Sequence, residues 1–139
     1  MVLFMDYTFV MIKPSGVERK LIGRIIQRFE DKNLKIERLE LKKVNKNFAE
    51  RFYNEHKGKD FYNDLITTIS DKYVVGMVIS GTNAIEIVRK LVGNTIPHLA
   101  EPGTIRGDFA CQLPDNVIHA SDSPESAKRE INIFFNSMD

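Results

Sequence analysis

One histidine of this sequence has neighbours that suit covalent chemistry. His119 is followed by the small residues Ala120 and Ser121, which leave space beside the ring, and Asp122 begins the turn into a predicted helix. A neutral imidazole is a competent nucleophile near neutral pH, and a phosphoryl group that it accepts can be passed on again. Glu130, in the second turn of that helix, could accept the N–H of the other ring nitrogen and so hold the tautomer. A hydrogen-bonded core histidine is the alternative interpretation.

Cationic and polar side chains lie just outside several predicted elements. Lys13 ends the first predicted strand, Arg89 lies on the helix before a long loop, and Arg106 lies within that loop. Thr95 and Asn116 add polar groups to the same region. Strand ends and the loop can converge on one edge of a sheet, where arginine and lysine together suit a polyphosphate better than a lone carboxylate. Solvated surface charge is the alternative for each cation taken singly.

Three further side chains are open to two interpretations each. His56 lies at the end of a predicted helix, where an imidazole suits the helix dipole, but it could also contact a phosphate group. Phe61 could present a flat apolar face to a nucleobase, although phenylalanine at a helix start more often packs in the core. Cys111 is the only cysteine, so it cannot form an internal disulfide and is expected to serve packing.

Residue spacing excludes several known types of site. The eight glycines form neither Gly-x-x-x-x-Gly-Lys-Ser/Thr nor Gly-x-Gly-x-x-Gly, which excludes a Walker phosphate loop and a dinucleotide fingerprint. The cysteine and the three histidines lack the spacing of zinc ligands, and no Gly-x-Ser-x-Gly elbow occurs. The sequence therefore predicts no metal-ligating residues, and a phosphate group would need donors other than a glycine-rich loop.

Length and composition predict one soluble domain over residues 1–139. A chain of 139 residues, of which 42% are hydrophobic and 28% charged, can fill one core. The net charge of +1 argues against nucleic acid or anionic lipid as a partner. The longest stretch without a charged side chain, residues 73–85, is shorter than the ~20 residues of a membrane-spanning helix. Together with the lone cysteine, these features predict a cytoplasmic protein that does not bind membranes.

The hydrophobic pattern predicts the elements that must position these side chains. Apolar and β-branched runs predict strands over residues 6–13, 34–44, 73–79 and 117–120. Helical periodicity predicts a helix from Glu18, a helical hairpin within residues 46–70, a helix after Thr82 and a final helix capped by Ser123. Residues 93–116 show no stable period, and such a long irregular segment inside a compact domain is usually functional.

The second predicted strand, residues 34–44, does not alternate evenly. Leu34 and Ile36 share one phase, whereas Leu39 and Leu41 share the other. A single extra residue reverses the direction of all side chains that follow it. The phase change therefore predicts a β-bulge within this strand.

The order of the predicted elements indicates the fold class. The order βα, β, αα, βα, loop, βα resembles a split βαβ unit doubled over one sheet. We therefore predict a ferredoxin-like α/β (α+β) fold. It has a four-stranded antiparallel sheet with helices on one side, a helical hairpin and a long loop before the last strand.

The stretch Asn116-Val-Ile-His-Ala-Ser-Asp-Ser123 resembles the active-site signature of nucleoside diphosphate kinases. Four supporting motifs occur in family order and at near-family spacing: Lys13-Pro14-x-Gly16-Val17, Phe52-Tyr53 with Phe61 downstream, Arg89-x-Leu-x-Gly-x-Thr95, and Pro102-Gly-Thr-Ile-Arg-Gly-Asp-Phe109. The resemblance covers residues 6–135, and it implies the same ferredoxin-like sheet that the element order predicts.

The resemblance also implies an activity. The γ-phosphoryl group of a nucleoside triphosphate would pass to His119 and then to a different nucleoside diphosphate, with Mg²⁺ bridging the phosphates of the nucleotide. Carried over by position, His119 would be the nucleophile, Glu130 would orient it, and Tyr53 and Ser121 would support the site. The implied nucleotide-binding residues are Lys13, which also serves catalysis, Phe61, Arg89, Thr95, Arg106 and Asn116.

Family members assemble through sheet edges, and the resemblance implies a homohexamer, with a tetramer or dimer as the alternative. An unpaired edge at residues 34–44 is consistent with such pairing. Two positions depart from the family pattern: Ser15 stands where the turn usually has Asp, and Ile96 stands where Asn usually precedes Pro97. Ser15 could change the rigidity of its turn, and Ile96 could change the conformation of the loop.

Two rival functions belong to other classes. A non-catalytic nucleotide-binding module could use the same fold, but His119 and its candidate supports are intact. An RNA-binding module could also use it, but the net charge of +1 and the lack of a matching aromatic motif argue against that class.

Overall fold

The computed structural model describes residues 5–113 and 115–136, so residues 1–4, 114 and 137–139 of the predicted domain lie outside the described part. The strands are β1 (Met5–Ile12), β2 (Lys35–Val44), β3 (Lys72–Thr82) and β4 (Ile118–Ala120). The helices are α1 (Pro14–Glu18), α2 (Ile22–Asp31), α3 (Lys46–Phe52), α4 (Tyr62–Ile69), α5 (Ala84–Val92), α6 (Ile105–Phe109) and α7 (Pro124–Phe135). Short 3-10 turns cover Asn54–His56 and Pro97–Leu99. No helix in these ranges has the length and apolar character needed to cross a membrane.

The strands pair in one antiparallel sheet whose order is β2-β3-β1-β4. Because β3 pairs antiparallel with both β1 and β2, the strands β1 and β2 run in the same direction and are joined by a crossover that contains α2. In the same way, β1 separates β3 and β4, which run in the same direction and are joined through α5. Two interleaved split βαβ units of this kind form the ferredoxin-like arrangement, so the predicted fold class is confirmed.

Helices cover both faces of the sheet, and the prediction of helices on one side is wrong. Val10 and Ile12 belong to a core with residues of α2 and α5, whereas Phe9 and Met11 belong to a second core with residues of α3, α4 and α7. All four side chains are fully buried. Neighbouring residues of a strand point to opposite faces, so an apolar run without alternation requires cover on both sides.

The predicted bulge in β2 is confirmed and lies at Glu37. Ile36 pairs with Ile79 of β3, whereas Arg38 already pairs with Val78, so Glu37 is the extra residue. Beyond the bulge, Leu39 lies opposite Met77, on the same face as the Ile36–Ile79 pair. Leu39 and Leu41 nevertheless stay exposed, because β2 is an edge strand that α2 does not fully cover.

The chain after β1 forms two helices instead of one helix from Glu18. The first, α1, already begins at Pro14, whose fixed φ suits the first position of a helix. Lys20 has a φ of 62°, which interrupts the helical backbone before α2 starts. Ile25 and Phe29, which the helical pattern places inward, are fully buried.

The segment predicted to be irregular, residues 93–116, contains the helix α6. Its first residue follows Thr104, whose side chain accepts a hydrogen bond from the backbone N–H of Gly107 at 3.0 Å. A helix of five residues is too short to show a helical period, so the pattern did not reveal it. The strand β3 also runs to Thr82, beyond its predicted end at Ile79.

Candidate active site

His119 lies on β4, a short edge strand that pairs with the central strand β1. His119 is opposite Met11, so its ring lies on the face of the sheet that α3 and α7 cover. The ring packs edge-on against Phe52 of α3, with 5.0 Å between centroids, and its side chain is 22% exposed. The ring therefore packs against aromatic neighbours and remains partly exposed to solvent.

A buried carboxylate holds one nitrogen of this ring. Oε1 of Glu130, on α7, lies 2.8 Å from Nε2 of His119, and the same oxygen accepts a hydrogen bond of 2.7 Å from the hydroxyl of Ser121. The side chain of Glu130 is only 2% exposed. Because a carboxylate accepts hydrogen bonds, the hydrogen is assigned to Nε2 and the lone pair to Nδ1. Nδ1 makes no hydrogen bond within the described residues, so its lone pair is free.

The start of α7 explains why Glu130 faces the ring. Ser123 accepts a hydrogen bond of 3.1 Å from the backbone N–H of Ser126, and Pro124 occupies the first helical position, as predicted. The helix then packs Ala127 and Phe134 into the core, with Glu130 between them on the same face. The cap therefore sets the starting point of the helix and, with it, the direction of the carboxylate.

The backbone just before β4 is unusual. Val117 has a φ of 69°, a left-handed conformation that β-branched residues strongly disfavour. Its backbone is held at both ends, since Lys13 N–H donates to its carbonyl at 2.8 Å and its own N–H donates to Asp115 Oδ1 at 3.2 Å. Strain of this kind persists only where the surroundings enforce it and is concentrated at functional sites.

Arg106 is a buried cation surrounded by carbonyl groups of its own fold. Its guanidinium donates to the carbonyls of Gly93 at 3.1 Å, Asn116 at 3.3 Å and Ile118 at 2.6 Å. Burial, and then the nearby charge of Arg89, lowers the pKa of Arg106 to about 10, so it stays charged at neutral pH. These bonds fix a positive charge directly beside the strand that carries the histidine.

Lys13 and Asn116 lie next to this arginine. The buried ammonium of Lys13 donates to Asn116 Oδ1 at 2.8 Å, and the amide of Asn116 donates to the carbonyl of Thr95 at 3.2 Å. Burial, and then the nearby charge of Arg106, lowers the pKa of Lys13 to about 8, although the charge of Asp115 opposes the shift. Because both cations are buried, solvent screens their charges weakly, and together they attract an anion strongly.

Arg89 and the side chain of Thr95 are exposed at the rim of this group. One guanidinium nitrogen of Arg89 donates to the carbonyl of Ala120 at 3.3 Å, next to His119 in the chain. The charge of Arg89 also contributes to the lowered pKa of Arg106. The segment that carries His119 is therefore surrounded by cationic and polar side chains: Arg89, Arg106, Lys13, Asn116 and Thr95.

Phe61 does not pack in the core. It lies immediately before α4 and is 46% exposed, with its ring centroid 5.2 Å from that of His56. The ammonium of Lys59 lies 5.8 Å from the Phe61 centroid. Burial lowers the pKa of His56, and the charge of Glu55 opposes that shift. The hairpin thus offers an open aromatic face beside a neutral imidazole.

Tyr53 is buried beside the carboxylate of Glu130. Its hydroxyl makes no hydrogen bond within the described part of the chain. Burial raises the pKa of this hydroxyl, and the charge of Glu130 raises it further. An unpaired buried hydroxyl is costly and therefore uncommon in native folds.

The two departures from the family pattern are each stabilised by a local hydrogen bond. Ser15 donates from its hydroxyl to Asp115 Oδ1 at 2.5 Å, which ties the turn after β1 to the segment before β4. The backbone N–H of Ile96 donates to the side chain of Asn94 at 2.9 Å, and the next residue, Pro97, is buried. Both turns are therefore held without the usual residue.

One residue of the site was missed by the sequence analysis. Arg129, on α7, lies 3.5 Å from Oε2 of Glu130 and donates to the carbonyl of Phe52 at 3.3 Å. Adjacent helical residues do not face each other, so the pair Arg129-Glu130 carries no signal in the sequence. Only the packing of α7 against α3 brings these groups together.

The side chains around the segment that carries His119 suit an anion better than a metal ion. Within residues 5–113 and 115–136, no group of three or more His, Cys, Asp or Glu side chains is close enough to hold a metal ion. Besides Glu130, which holds the ring, the side chains around this loop and strand include the cations Lys13, Arg89 and Arg106, joined by the amide of Asn116. Chemically, the arrangement can bind phosphate oxygens in front of a nucleophilic Nδ1.

Comparison with known proteins agrees with this geometry. The family model described as nucleoside diphosphate kinase matches residues 6–139. The nucleoside diphosphate kinase of Methanocaldococcus jannaschii is 56% identical over 130 residues, which cover 94% of this chain and 93% of the relative. That of Sulfurisphaera tokodaii is 59% identical over 128 residues, which cover 92% of this chain and 87% of the relative.

Solved structures give the same result. A transition-state mimic of the nucleoside diphosphate kinase from Borrelia burgdorferi, with bound vanadate and ADP, superposes with a TM-score of 0.90 at 38% identity, covering 94% of this chain and 87% of that one. A family protein from Babesia bovis superposes with a TM-score of 0.89 at 43% identity, covering 94% and 88%. The site geometry, the family match and these superpositions lead to one conclusion: this chain belongs to the nucleoside diphosphate kinase family.

Proposed function

We propose that residues 1–139 form a single domain that transfers the γ-phosphoryl group of a nucleoside triphosphate to a nucleoside diphosphate by way of phospho-His119. The observation that carries this proposal is the 2.8 Å contact between His119 Nε2 and Glu130 Oε1, which leaves Nδ1 free. A carboxylate that fixes the hydrogen on Nε2, while Nδ1 has no partner among the described residues, is the arrangement that a nucleophilic histidine requires.

In the first half-reaction, the lone pair of Nδ1 attacks the γ-phosphorus. The bond from that phosphorus to the β–γ bridging oxygen breaks, and the nucleoside diphosphate leaves with the electron pair. The ring, which keeps its hydrogen on Nε2, gains positive charge as the N–P bond forms, and the carboxylate of Glu130 stabilises that charge. In the second half-reaction, a terminal β-phosphate oxygen of another diphosphate attacks the phosphorus, and the N–P bond breaks.

The cations lower the barrier by positioning and by neutralising charge. Phosphoryl transfer passes through a loose transition state with charge on the equatorial oxygens, so fixed positive groups are the main requirement. Arg106 is already held by three carbonyl groups and needs no reorganisation. Lys13 and Arg89 supply the remaining charges that face the phosphates.

The other site residues hold the nucleotide and the ring. Asn116 and Thr95 bind the sugar hydroxyl and a phosphate group, and the exposed ring of Phe61 stacks on the base. Every base presents a flat π face, so stacking with few contacts to base edges gives broad tolerance. Ser121 and Tyr53 support Glu130 and the phosphate group.

Mg²⁺ enters as part of the substrate. Bound to the phosphates of the nucleotide, it would supply positive charge that neutralises charge developing on them. The cations and amides around His119 suit phosphate oxygens and do not suit a metal ion, which supports delivery of the metal by the nucleotide. No residue of this chain is assigned as a metal ligand.

A homohexamer in the cytoplasm is the proposed assembly, with a tetramer or dimer as the alternative. The exposed edge of β2 supports pairing between copies, since Leu39 and Leu41 are 52% and 56% exposed there. The single cysteine supports a reducing compartment. The net charge of +1 argues against nucleic acid as a partner.

The test is a brief incubation of the purified protein with γ-labelled ATP and Mg²⁺, followed by a chase with unlabelled GDP. We expect an acid-labile, alkali-stable adduct whose label moves into GTP. The His119→Ala variant serves as the control and should form no adduct. A folded wild-type protein that binds the nucleotide without forming an adduct would instead be a binding module on this scaffold.

A further inference from the structure

Arg129 connects three groups at the back of the active site. One of its guanidinium nitrogens lies 3.5 Å from Oε2 of Glu130 and 3.6 Å from Oε1 of Glu55. The other donates to the carbonyl of Phe52 at 3.3 Å. The guanidinium group is planar, so several acceptors in different directions fix its orientation.

The contact with Glu130 matters because the two oxygens of that carboxylate have different partners. Oε1 faces His119 and Ser121, at 2.8 and 2.7 Å. Oε2 faces Arg129, and the whole side chain is only 2% exposed. A carboxylate that is buried and charged needs a partner of opposite charge, and it can rotate if only one oxygen is held.

We infer that Arg129 is a positioning residue for phosphoryl transfer: it holds Oε2 of Glu130 so that Oε1 stays directed at Nε2 of His119. This inference rests on the proposed phosphohistidine function. With Oε1 in place, the hydrogen stays on Nε2 and Nδ1 keeps the lone pair that attacks phosphorus. Without Arg129, the carboxylate loses its charged partner and is free to turn, and the ring can carry its hydrogen on Nδ1.

The inferred role predicts an effect on the rate rather than on nucleotide binding. The hydrogen bonds and ion pairs of Arg129 in the described residues are with Glu130, Glu55 and Phe52. None of these three is a proposed phosphate or base ligand. Removing Arg129 should therefore lower kcat while KM for the nucleotide stays close to that of the wild type.

The test compares Arg129→Gln, Arg129→Lys and a control, Lys128→Gln, in single-turnover phosphorylation of His119 by Mg-ATP. Lys128 is an exposed neighbour on α7, so its replacement by Gln removes the same charge from the same helix. We expect a fall of about tenfold for Arg129→Gln, as for loss of a hydrogen bond to a charged group. Arg129→Lys should lie between that variant and the wild type, because lysine retains the charge without the planar fork. Lys128→Gln should match the wild type.

A second readout separates positioning from a general loss of structure. Long-range ¹H–¹⁵N spectra of histidine-labelled protein report which ring nitrogen carries the hydrogen, and the His119→Ala variant assigns the signals of residue 119. We expect the Nε2–H form in the wild type and in Lys128→Gln, and a measurable Nδ1–H population in Arg129→Gln. If that variant does not fold, Arg129→Lys takes its place in both measurements.

The outcomes are distinguishable. Folded Arg129 variants that match Lys128→Gln in both rate and tautomer would overturn the inference. A variant with raised KM and unchanged kcat would also overturn it, because Arg129 would then act on binding. Failure of the wild type to form phospho-His119 would instead overturn the proposed function, independently of Arg129.

Discussion

At the scale of single residues, the imidazole of His119 and the cations around it have separate tasks. In the proposed mechanism, the ring forms the covalent bond, whereas Lys13, Arg89 and Arg106 bind the phosphates. Removing the ring should therefore separate transfer from binding. The buried carboxylate of Glu130 supports the ring and makes no contribution to the phosphate contacts.

We predict that His119→Ala abolishes transfer and leaves nucleotide binding nearly unchanged. The variant loses the only proposed covalent relay but keeps every proposed phosphate ligand. A coupled assay measures transfer, and calorimetric titration with ADP measures affinity. His98→Ala is the matched control, because His98 is exposed in the long loop and has no proposed role. Turnover that persists in a pure His119→Ala preparation would contradict the mechanism.

Lys13 should make nucleotide binding depend on pH above neutrality. Burial lowers its pKa to about 8 in the free protein, and a bound phosphate favours the charged ammonium and raises that pKa. At pH values just above this pKa, Lys13 is partly neutral in the free protein and becomes charged when the phosphate binds. Lys13 should therefore take up a proton on binding at alkaline pH and contribute none at slightly acidic pH, where it is already charged.

Calorimetric titrations in buffers with different ionisation enthalpies measure this proton uptake. His56 contributes little above pH 8, because its pKa is lowered and its imidazole is already neutral. The Lys13→Gln variant should lose the uptake. Equal observed heats in all buffers at alkaline pH, whatever the ionisation enthalpy of the buffer, would show that Lys13 is not coupled to the phosphate.

At the scale of the elements, the position of α7 on the sheet determines where Glu130 points. This helix lies close to β3 at Gly76, where an added Cβ would lie 2.4 Å from the ring of Phe134. The absence of a side chain at Gly76 therefore allows α7 to pack close to the sheet. Glu130 lies one turn before Phe134 on the same helix, so the packing of α7 on the sheet and the geometry of the site are linked.

We predict that Gly76→Ala destabilises the protein by about 1–3 kcal/mol, the usual cost of overpacking a core, and also slows transfer. Gly23→Ala is the matched control, because an added Cβ on this exposed position of α2 meets no atom within 4 Å. That change should instead stabilise the protein by about 0.5–1 kcal/mol, since alanine favours helices over glycine. Denaturant unfolding measures both values. Equal effects from the two substitutions would refute the close approach of α7.

At the scale of the whole molecule, the sheet has an open edge at β2. The bulge at Glu37 brings Leu39 and Leu41 onto the face where α2 packs, yet both stay exposed. An apolar edge strand with unpaired backbone groups is a site of association unless it is covered. Pairing of this edge between copies would cover both side chains.

We predict that the double substitution Leu39→Glu and Leu41→Glu shifts the assembly to smaller species. Like charges would face each other across the paired edges, and the buried apolar area would be lost. Sedimentation velocity measures the mass of the species. Lys128→Gln is the control for a change of net charge and should leave the assembly as it is in the wild type. A double variant that sediments like the wild type would exclude the β2 edge as the contact.

The sequence by itself determined the strands, most helices, the bulge in β2, the fold class and the family. These features are local or periodic: the phase change between Ile36 and Leu39 and the capping residue Ser123 can be read from neighbouring positions. The signature around His119 likewise lies within a few residues. Patterns of this kind are visible in a chain without knowledge of its packing.

Only the tertiary structure decided the rest, because those features depend on contacts between distant segments. The cover on both sheet faces arises from the packing of α3, α4 and α7, and the left-handed conformation of Val117 is imposed by Lys13 and Asp115. The burial of Arg106 among three carbonyls requires the loop to fold back onto β4. Arg129 reaches Glu130 because α7 packs on α3, and no spacing in the sequence encodes that contact.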